Sequence, residues 1–184
     1  MIDPQHITGL ILSDASAAGA GGADAGLRNH QGMPMAMHVL LRLAPQVGAV
    51  MIHANRNLGA YESFGAAVWP DTAPGLAGLL AGMLAGLEHC ETPYLVTVPC
   101  DAVHLPDDLV RRLALALTDD TEIAVAAPSA GHAMQGLPQC CLLKAGLAES
   151  LLRFTQSGGR DADAWIGLHR CVQVPFDDLP GDPP

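Results

Sequence analysis

ITGLILSDASAAGAGGADAGL, residues 7–27, is the stretch that decides the fold of this chain. Its first six residues, Ile7–Leu12, form a mostly apolar run of the length and branching typical of a buried strand. A loop of Ser, Ala and Gly follows and contains Gly21, Gly22 and Asp24. A glycine-rich loop after a first strand brings backbone N–H groups close to a phosphate in α/β folds. The stretch therefore predicts an α/β fold with a nucleotide site at the end of its first strand.

The composition limits the class of protein. The chain has 184 residues, 49% of them apolar and 15% charged, so it is globular and long enough for one substantial core. We expect a single domain over residues 1–184, with a frayed, acidic and proline-rich tail at 177–184. The formal net charge of -10 argues against nucleic acid or an anionic membrane as a partner.

Cysteine usage and the first residues bear on the cellular compartment. The five cysteines form no C-x-x-C pair, which favours free thiols in a reducing cytosol. Residues 1–6 lack the basic-then-apolar pattern of a signal peptide. The uncharged run 73–87 is shorter than the roughly 20 residues needed to span a bilayer. These observations predict a cytoplasmic protein.

Short apolar strands alternate with helical patterns along the chain. Strands are predicted at 7–12, 49–52, 65–69, 93–98, 123–127, 140–143 and 171–174. Helices are predicted at 34–43, 76–88, 106–117 and 145–154. This alternation implies a three-layer, doubly wound, Rossmann-like α/β fold with a mainly parallel sheet.

Three glycines recur every four residues in the helix predicted over 76–88, at Gly78, Gly82 and Gly86. A glycine inside a helix costs about 1 kcal/mol relative to alanine. Three of them on one face therefore indicate close packing against that face. The neighbour is either the central sheet or a bound nucleotide.

Polar side chains follow the predicted strands, at Asp14, His53, Asp71 and Asp101. Ligands of open α/β sheets bind outside the carboxyl ends of the strands, near a switch in strand order. Three carboxylates and an imidazole there predict a Mg²⁺ site, because Mg²⁺ takes one or two carboxylates together with substrate phosphates. Asp101 directly follows a buried strand. It either holds a metal that neutralises a leaving pyrophosphate or caps the next turn.

Other chemistry-bearing residues are interpreted as structural. His104 is a loop histidine, because a lone His and Asp do not make a metal site. Cys140 and Cys141 are interpreted as strand residues rather than redox centres. Asp161 and Asp163 are interpreted as solvated loop acids that could line an acceptor site.

The order of the motifs resembles the molybdenum cofactor guanylyltransferase family. After GLIL and the loop with GG-x-D-x-GL come HANRN (53–57), PGLAGLLAGM (74–83), PCD (99–101) and HLPDDL (104–109). The similarity keeps its order over nearly the whole chain. Members of the family have a nucleotidyltransferase fold and transfer GMP from MgGTP to molybdopterin, releasing pyrophosphate. The resemblance implies Mg²⁺ as cofactor, GTP and the molybdopterin cofactor as substrates, and molybdoenzymes or cofactor-delivery proteins as partners.

The resemblance also assigns site residues by position. Asp101 matches the magnesium ligand and is the catalytic carboxylate, and Asp71 matches a contact to the guanine nucleotide. His53 stands where the family usually has an asparagine that contacts the nucleotide, and its ring can still donate and accept hydrogen bonds. The nucleotide-binding positions implied by the family are Leu12, Ser13, Asp14, Gly21, Gly22, Asp24, His53, Asp71 and Asp101.

The first loop departs from the family's pattern. The family reads approximately LAGG, then a basic residue before MGG, then DKGL. Here Gly19 and Ala20 stand where Arg-Met is expected, and Ala25 stands in place of the lysine, while Asp14 adds a negative charge. Losing one charge-assisted donor in an enzyme typically costs on the order of 100- to 1000-fold in rate. We therefore expect guanylyl transfer to be reduced or lost.

Three interpretations of the function follow. The chain is a guanylyltransferase of reduced or lost activity, or a non-catalytic protein of the same fold. The non-catalytic protein would bind the molybdenum cofactor or a molybdoenzyme and act as its chaperone. The third is an altered chain in which the fold was kept and the function removed. Asp71 and Asp101 favour the first, whereas the missing loop cations and Asp14 favour the other two.

Overall fold

The computed structural model describes residues 2–13, 24–129 and 137–177. Its strands are β1 (Ile7–Leu12), β2 (Asn29–His30), β3 (Met33–Pro34), β4 (Ala49–His53), β5 (Ala67–Trp69), β6 (Tyr94–Pro99), β7 (Ile123–Pro128), β8 (Cys141–Lys144) and β9 (Cys171–Phe176). Its α-helices are α1 (Met35–Leu43), α2 (Leu58–Glu62), α3 (Leu79–His89), α4 (Leu109–Ala116), α5 (Ala148–Gln156) and α6 (Ala162–Ile166). None of the helices within these ranges has the length and apolar character needed to cross a membrane.

Seven of the strands form one sheet in the order β5-β4-β1-β6-β8-β7-β9. Neighbouring strands are parallel except at β8, which runs antiparallel to both β6 and β7. Strands β2 and β3 form a separate antiparallel pair. The prediction of a mainly parallel sheet is confirmed, with one antiparallel strand that the sequence pattern did not reveal.

Helices cover both faces of the sheet, because its central strands are apolar on both sides. In β1, Ile7 and Ile11 belong to the core on the side of α1 and α4. Leu10 and Leu12 belong to the core on the side of α3, α5 and α6. Alternate residues of one strand thus serve two cores, since successive side chains point to opposite faces. The predicted three-layer architecture is confirmed.

Glycine conformations explain where two predicted elements begin. The helix predicted from residue 76 begins at Leu79, because Gly78 has φ +73° and cannot continue a right-handed helix. The strand predicted from residue 65 begins at Ala67, because Gly65 has φ +84°. Both predictions were therefore early by two or three residues.

Two short helices were not predicted. Helices α2 and α6 have five residues each, which is too short to show a helical period in sequence. Asp161, interpreted above as a solvated loop acid, caps α6 by accepting a hydrogen bond from the Ala164 N–H at 3.2 Å. This cap positions α6 so that Trp165 is fully buried.

Candidate active site

The order of the strands reverses at β1. From β1 the chain continues to β4 and β5 on one side, and it later returns to β6 on the other side. Such a switch point opens a crevice at the carboxyl ends of the strands. Backbone hydrogen bonds extend past the strands, from Ser13 N to His53 O at 3.0 Å and from Cys100 N to Leu12 O at 3.1 Å. Four of the predicted site residues, Leu12, Ser13, His53 and Asp101, therefore lie around one crevice.

His53 and Asp71 form a pair at the edge of this crevice. His53 is the last residue of β4, and its Nε2 lies 2.7 Å from Asp71 Oδ1. The His53 side chain is 1% exposed, whereas that of Asp71 is 24% exposed. The Asp71 N–H donates to Asn55 Oδ1 at 2.8 Å. The side chain of Asp71 is thus bonded to the end of β4, and its main chain is bonded to the segment that follows β4.

Asp24 marks the end of the first loop and is buried. Its Oδ1 accepts hydrogen bonds from the Tyr61 hydroxyl at 2.5 Å and from Gly26 N at 3.2 Å. Its Oδ2 accepts from Asn57 Nδ2 at 3.1 Å. Buried carboxylates are tolerated when several donors satisfy them. Asp24 thus connects the end of the loop to the segment after β4 and to α2.

Two of the donors to Asp24, the Tyr61 hydroxyl and the Asn57 amide, are held in the state that the hydrogen bonds require. Burial, and then the Asp24 carboxylate, raise the pKa of Tyr61 far above its usual range, so its hydroxyl stays protonated and donates. Asn57 adopts φ +53°, a left-handed conformation that asparagine tolerates better than most residues.

The site contains three residues that sequence reasoning missed: Asn55, Asn57 and Tyr61. Asn55 and Asn57 belong to the HANRN segment, whose alternate residues His53, Asn55 and Asn57 each bond to Asp71 or Asp24. Polar residues at alternate positions after a strand were the available signal. Tyr61 had none, because it reaches Asp24 across 37 residues of sequence.

Asp101 follows β6 and is half-buried. The next turn is closed by main-chain groups, with Val103 N donating to Asp101 O at 2.8 Å and Ala102 N to Pro99 O at 3.3 Å. No described residue donates a hydrogen bond to the Asp101 carboxylate. The side chain is therefore not a cap for this turn, which was the alternative to a metal ligand.

The donor set suits a hard cation held jointly with a substrate. Within the described residues, no group of three or more His, Cys, Asp and Glu side chains could hold a metal by itself. Magnesium does not need such a group, because it binds through one or two carboxylates and the phosphates of a nucleotide. A carboxylate at the edge of the crevice, with no described donor, fits that requirement.

The glycines of α3 allow the helix to pack closely on the sheet. A Cβ on Gly82 would lie 2.7 Å from Leu12 Cδ2, and one on Gly86 would lie closer still to Leu10 Cδ2. Gly78 lies outside the helix. Of the two neighbours considered for this face, the central sheet is the one observed.

Three predicted nucleotide-binding residues, Asp14, Gly21 and Gly22, lie outside the described residues. The only lysine in the sequence, Lys144, lies opposite Tyr94, the first residue of β6. Its Nζ donates to Asp119 O at 3.2 Å. Lys144 is therefore at the end of the sheet away from the crevice, where it cannot meet a phosphate bound beside β1.

His104, Cys140 and Cys141, interpreted above as structural, lie in environments that fit a structural role. The exposed His104 lies near His30, with ring centroids 6.1 Å apart. Cys140 and Cys141 are buried, and burial raises the pKa of Cys141 to about 12. A buried thiol of such high pKa is unreactive at neutral pH.

The fold and the crevice define a nucleotidyltransferase-like α/β protein. The sequence profile of the MobA-like NTP transferase domain matches residues 13–172, and the chain belongs to this family. A molybdenum cofactor guanylyltransferase of Bordetella petrii is 58% identical over 179 residues, which cover 97% of this chain and 91% of that protein. A protein of the same name from Bordetella pertussis is 54% identical with the same coverage.

Solved structures share the fold at much lower identity. The molybdopterin-guanine dinucleotide biosynthesis protein A of Archaeoglobus fulgidus is 16% identical, with a TM-score of 0.70 over 91% of this chain and 83% of that one. The CMP:2-keto-3-deoxy-manno-octonic acid synthetase, solved in complex with CTP, is 12% identical, with a TM-score of 0.68 over 92% and 89%. The predicted nucleotidyltransferase fold is confirmed.

Proposed function

We propose that this chain binds GTP with Mg²⁺ and transfers GMP to the molybdopterin cofactor. In that reaction an oxygen of the acceptor bonds to the α-phosphorus of GTP, and the bond to the departing pyrophosphate breaks. Relatives 50–58% identical over nearly the full chain bear the name molybdenum cofactor guanylyltransferase, which supports this reaction. Delivery of the product to a molybdoenzyme or a cofactor-delivery protein belongs to the same proposal.

The observation that carries the proposal is the Asp101 carboxylate beside the switch point, without a described hydrogen-bond donor. Asp101 would hold the Mg²⁺, which when bound neutralises charge on the phosphates of the leaving pyrophosphate. Leu12 and Ser13 would lie beside the nucleotide, and the loop that follows them would meet the phosphates through backbone N–H groups, because Ser13 N already donates to His53 O. His53 and Asp71 would lie on the side of the nucleotide base.

We further propose that the transfer is slow in this chain. The loop positions for Arg and Lys carry Gly19 and Ala25, and Lys144 is at the opposite end of the sheet. Backbone N–H groups alone can bind an anion, but the transition state lacks the two charge-assisted donors of the family's loop.

Calorimetric titration of GTP, with and without Mg²⁺, tests the proposal. We expect Mg²⁺-dependent binding that the variant Asp101→Asn weakens at least about tenfold, because an amide is a poor ligand for a hard cation. Asp120→Asn is the matched control, since Asp120 is exposed on the turn before β7. Equal Mg²⁺ dependence in wild type and Asp101→Asn would reject Asp101 as the ligand. Absence of binding at millimolar GTP would reject the transferase and favour a non-catalytic binding protein.

A further inference from the structure

The two ring nitrogens of His53 have unlike surroundings. Nε2 lies 2.7 Å from Asp71 Oδ1, whereas Nδ1 is buried and has no hydrogen-bond partner among the described residues. A Cβ on Gly82 of α3 would lie 2.9 Å from Nδ1. A hydrogen on Nδ1 would be a buried, unsatisfied donor, so we assign the hydrogen to Nε2. His53 is thus a donor directed at one oxygen of Asp71.

Asp71 is restrained at both its side chain and its main chain. Oδ1 accepts from His53, and the Asp71 N–H donates to Asn55 Oδ1 at 2.8 Å. Trp69, two residues earlier, lies opposite His53 in the parallel pair of β5 and β4. No described residue donates to Asp71 Oδ2, and the side chain remains partly exposed. Oδ2 is therefore an acceptor open to a ligand. The hydrogen bonds of Asp71 to His53 and Asn55 fix its orientation.

A carboxylate oxygen in a fixed orientation discriminates between purine bases. Guanine presents two adjacent donors, N1–H and the 2-amino group, whereas adenine presents an acceptor at N1. With adenine, the carboxylate oxygen would face the N1 acceptor, and neither would have a hydrogen-bond donor. Leaving these acceptors unpaired in a desolvated site costs binding free energy and disfavours adenine. A carboxylate that can rotate toward water loses much of this discrimination.

We propose that His53 is a positioning residue that sets the preference for guanine over adenine nucleotides through Asp71. This inference rests on the proposed function, because it takes Asp71 as the contact to the guanine nucleotide. At 1% exposure the ring of His53 is too deeply buried to meet the base itself. It differs in this from the family's usual asparagine, which contacts the nucleotide.

The test is calorimetry of GTP and of ATP, both with Mg²⁺, on the full chain. The measured quantity is the ratio of the two dissociation constants. In His53→Leu, which removes the donor at similar volume, we expect the preference for GTP to fall roughly tenfold or more. In His53→Gln, whose amide N–H reaches toward the position of Nε2, the preference stays within about threefold of wild type. His169→Leu is the control, because His169 bonds to Ser150 and Glu122 away from the crevice.

A double-variant comparison separates positioning from general support of the fold. In an Asp71→Ala background, adding His53→Leu must not change the preference further, because the pair no longer exists. If His53→Leu instead weakens GTP and ATP equally, the inference is wrong while the proposed function stands. If the wild-type chain binds GTP no better than ATP, the inference is wrong, whereas only an absence of GTP binding at millimolar concentration would also reject the proposed function.

A measurement without ligand keeps the inference testable where His53→Leu does not fold. The ring nitrogens of His53 give ¹⁵N NMR signals that report which nitrogen carries the hydrogen. We expect a protonated Nε2 in the wild type and a clear change of its signal in Asp71→Asn. A hydrogen on Nδ1, or a signal that Asp71→Asn leaves unchanged, would overturn the inference.

Discussion

The Tyr61 hydroxyl donates a hydrogen bond of 2.5 Å to Asp24 Oδ1, and this bond joins α2 to the end of the glycine-rich loop. Both residues are buried, with Tyr61 fully inaccessible and Asp24 at 9% exposure. The carboxylate is stable there because Gly26 and Asn57 supply further donors. The loop that would meet a nucleotide is thus anchored at its far end by a buried charge.

Removing the hydroxyl in Tyr61→Phe leaves the buried carboxylate with one donor fewer. We expect the free energy of unfolding to fall by about 1–3 kcal/mol, measured by urea denaturation. The chain's other tyrosine is the control, because no hydrogen bond of the Tyr94 hydroxyl is seen among the described residues. Tyr94→Phe should change stability by less than about 0.5 kcal/mol. Equal losses in the two variants would contradict the anchoring role.

Gly82 is required by the close contact of α3 with the sheet. In Gly82→Ala the new methyl group would press on Leu12 and on His53 Nδ1, at 2.7 and 2.9 Å. Overpacking of this kind costs about 1–3 kcal/mol, more than the roughly 1 kcal/mol that alanine contributes to a helix. We therefore expect lower stability and weaker GTP binding. Gly59→Ala, with open space around the new methyl, should be neutral or stabilising, and a similar gain in Gly82→Ala would refute the contact.

Glu122 links the pH to stability. The Arg170 N–H donates to Glu122 Oε2 at 3.1 Å, and with the charges of His169 and Arg170 it lowers the pKa of Glu122 below its ordinary value. A carboxyl whose pKa is lower in the folded state stabilises above its unfolded pKa, and the effect disappears as pH falls through the folded pKa. The stability difference between wild type and Glu122→Gln should therefore be present at pH 6 and shrink steadily below about pH 4.5.

Thermal unfolding between pH 3 and 7 measures this dependence. The exposed Glu91 supplies the comparison variant, Glu91→Gln, in which no such pH-dependent difference is expected. A difference between wild type and Glu122→Gln that stays constant across this range would show that the contacts of Glu122 do not depend on its charge.

Restoring the loop cations should strengthen nucleotide binding. In the double variant Gly19→Arg with Ala25→Lys, two charged donors return to the positions where the family has them. Hydrogen bonds to charged groups contribute about 1.5–3 kcal/mol each, so we expect GTP affinity to rise at least about tenfold by calorimetry. Leu115→Lys with Gly146→Arg adds the same charge at exposed positions near the opposite end of the sheet. Equal gains in both double variants would indicate long-range attraction rather than a phosphate cradle.

Much of the fold could be predicted from sequence because its central strands are buried on both sides. Continuous apolar runs such as those at 7–12 and 94–98 have no other stable place than between two layers of helices. Their alternation with helical periods determined the architecture. Element boundaries were less predictable where a glycine such as Gly78 adopts a positive φ, since its backbone conformation is not encoded by a side chain.

The candidate site was predictable only in part. Asp101 could be identified because it directly follows the apolar run that becomes β6. The direction of β8 and the presence of the five-residue helices could not be predicted from the sequence, because short segments carry no reliable period. Of the departures from the family's loop, Asp14, Gly19 and Ala20 lie outside the described residues, whereas Ala25 lies within them, directly after Asp24.

The sequence by itself determined the order of the seven sheet strands and of the longer helices, the family and the place of the carboxylates along the chain. The tertiary structure decided which of those residues meet. His53 pairs with Asp71 across 18 residues, and Tyr61 pairs with Asp24 across 37. Such pairs depend on which strands are neighbours and on how deeply each side chain is buried. Local periodicity reports neither, because it describes only the faces of a single helix or strand.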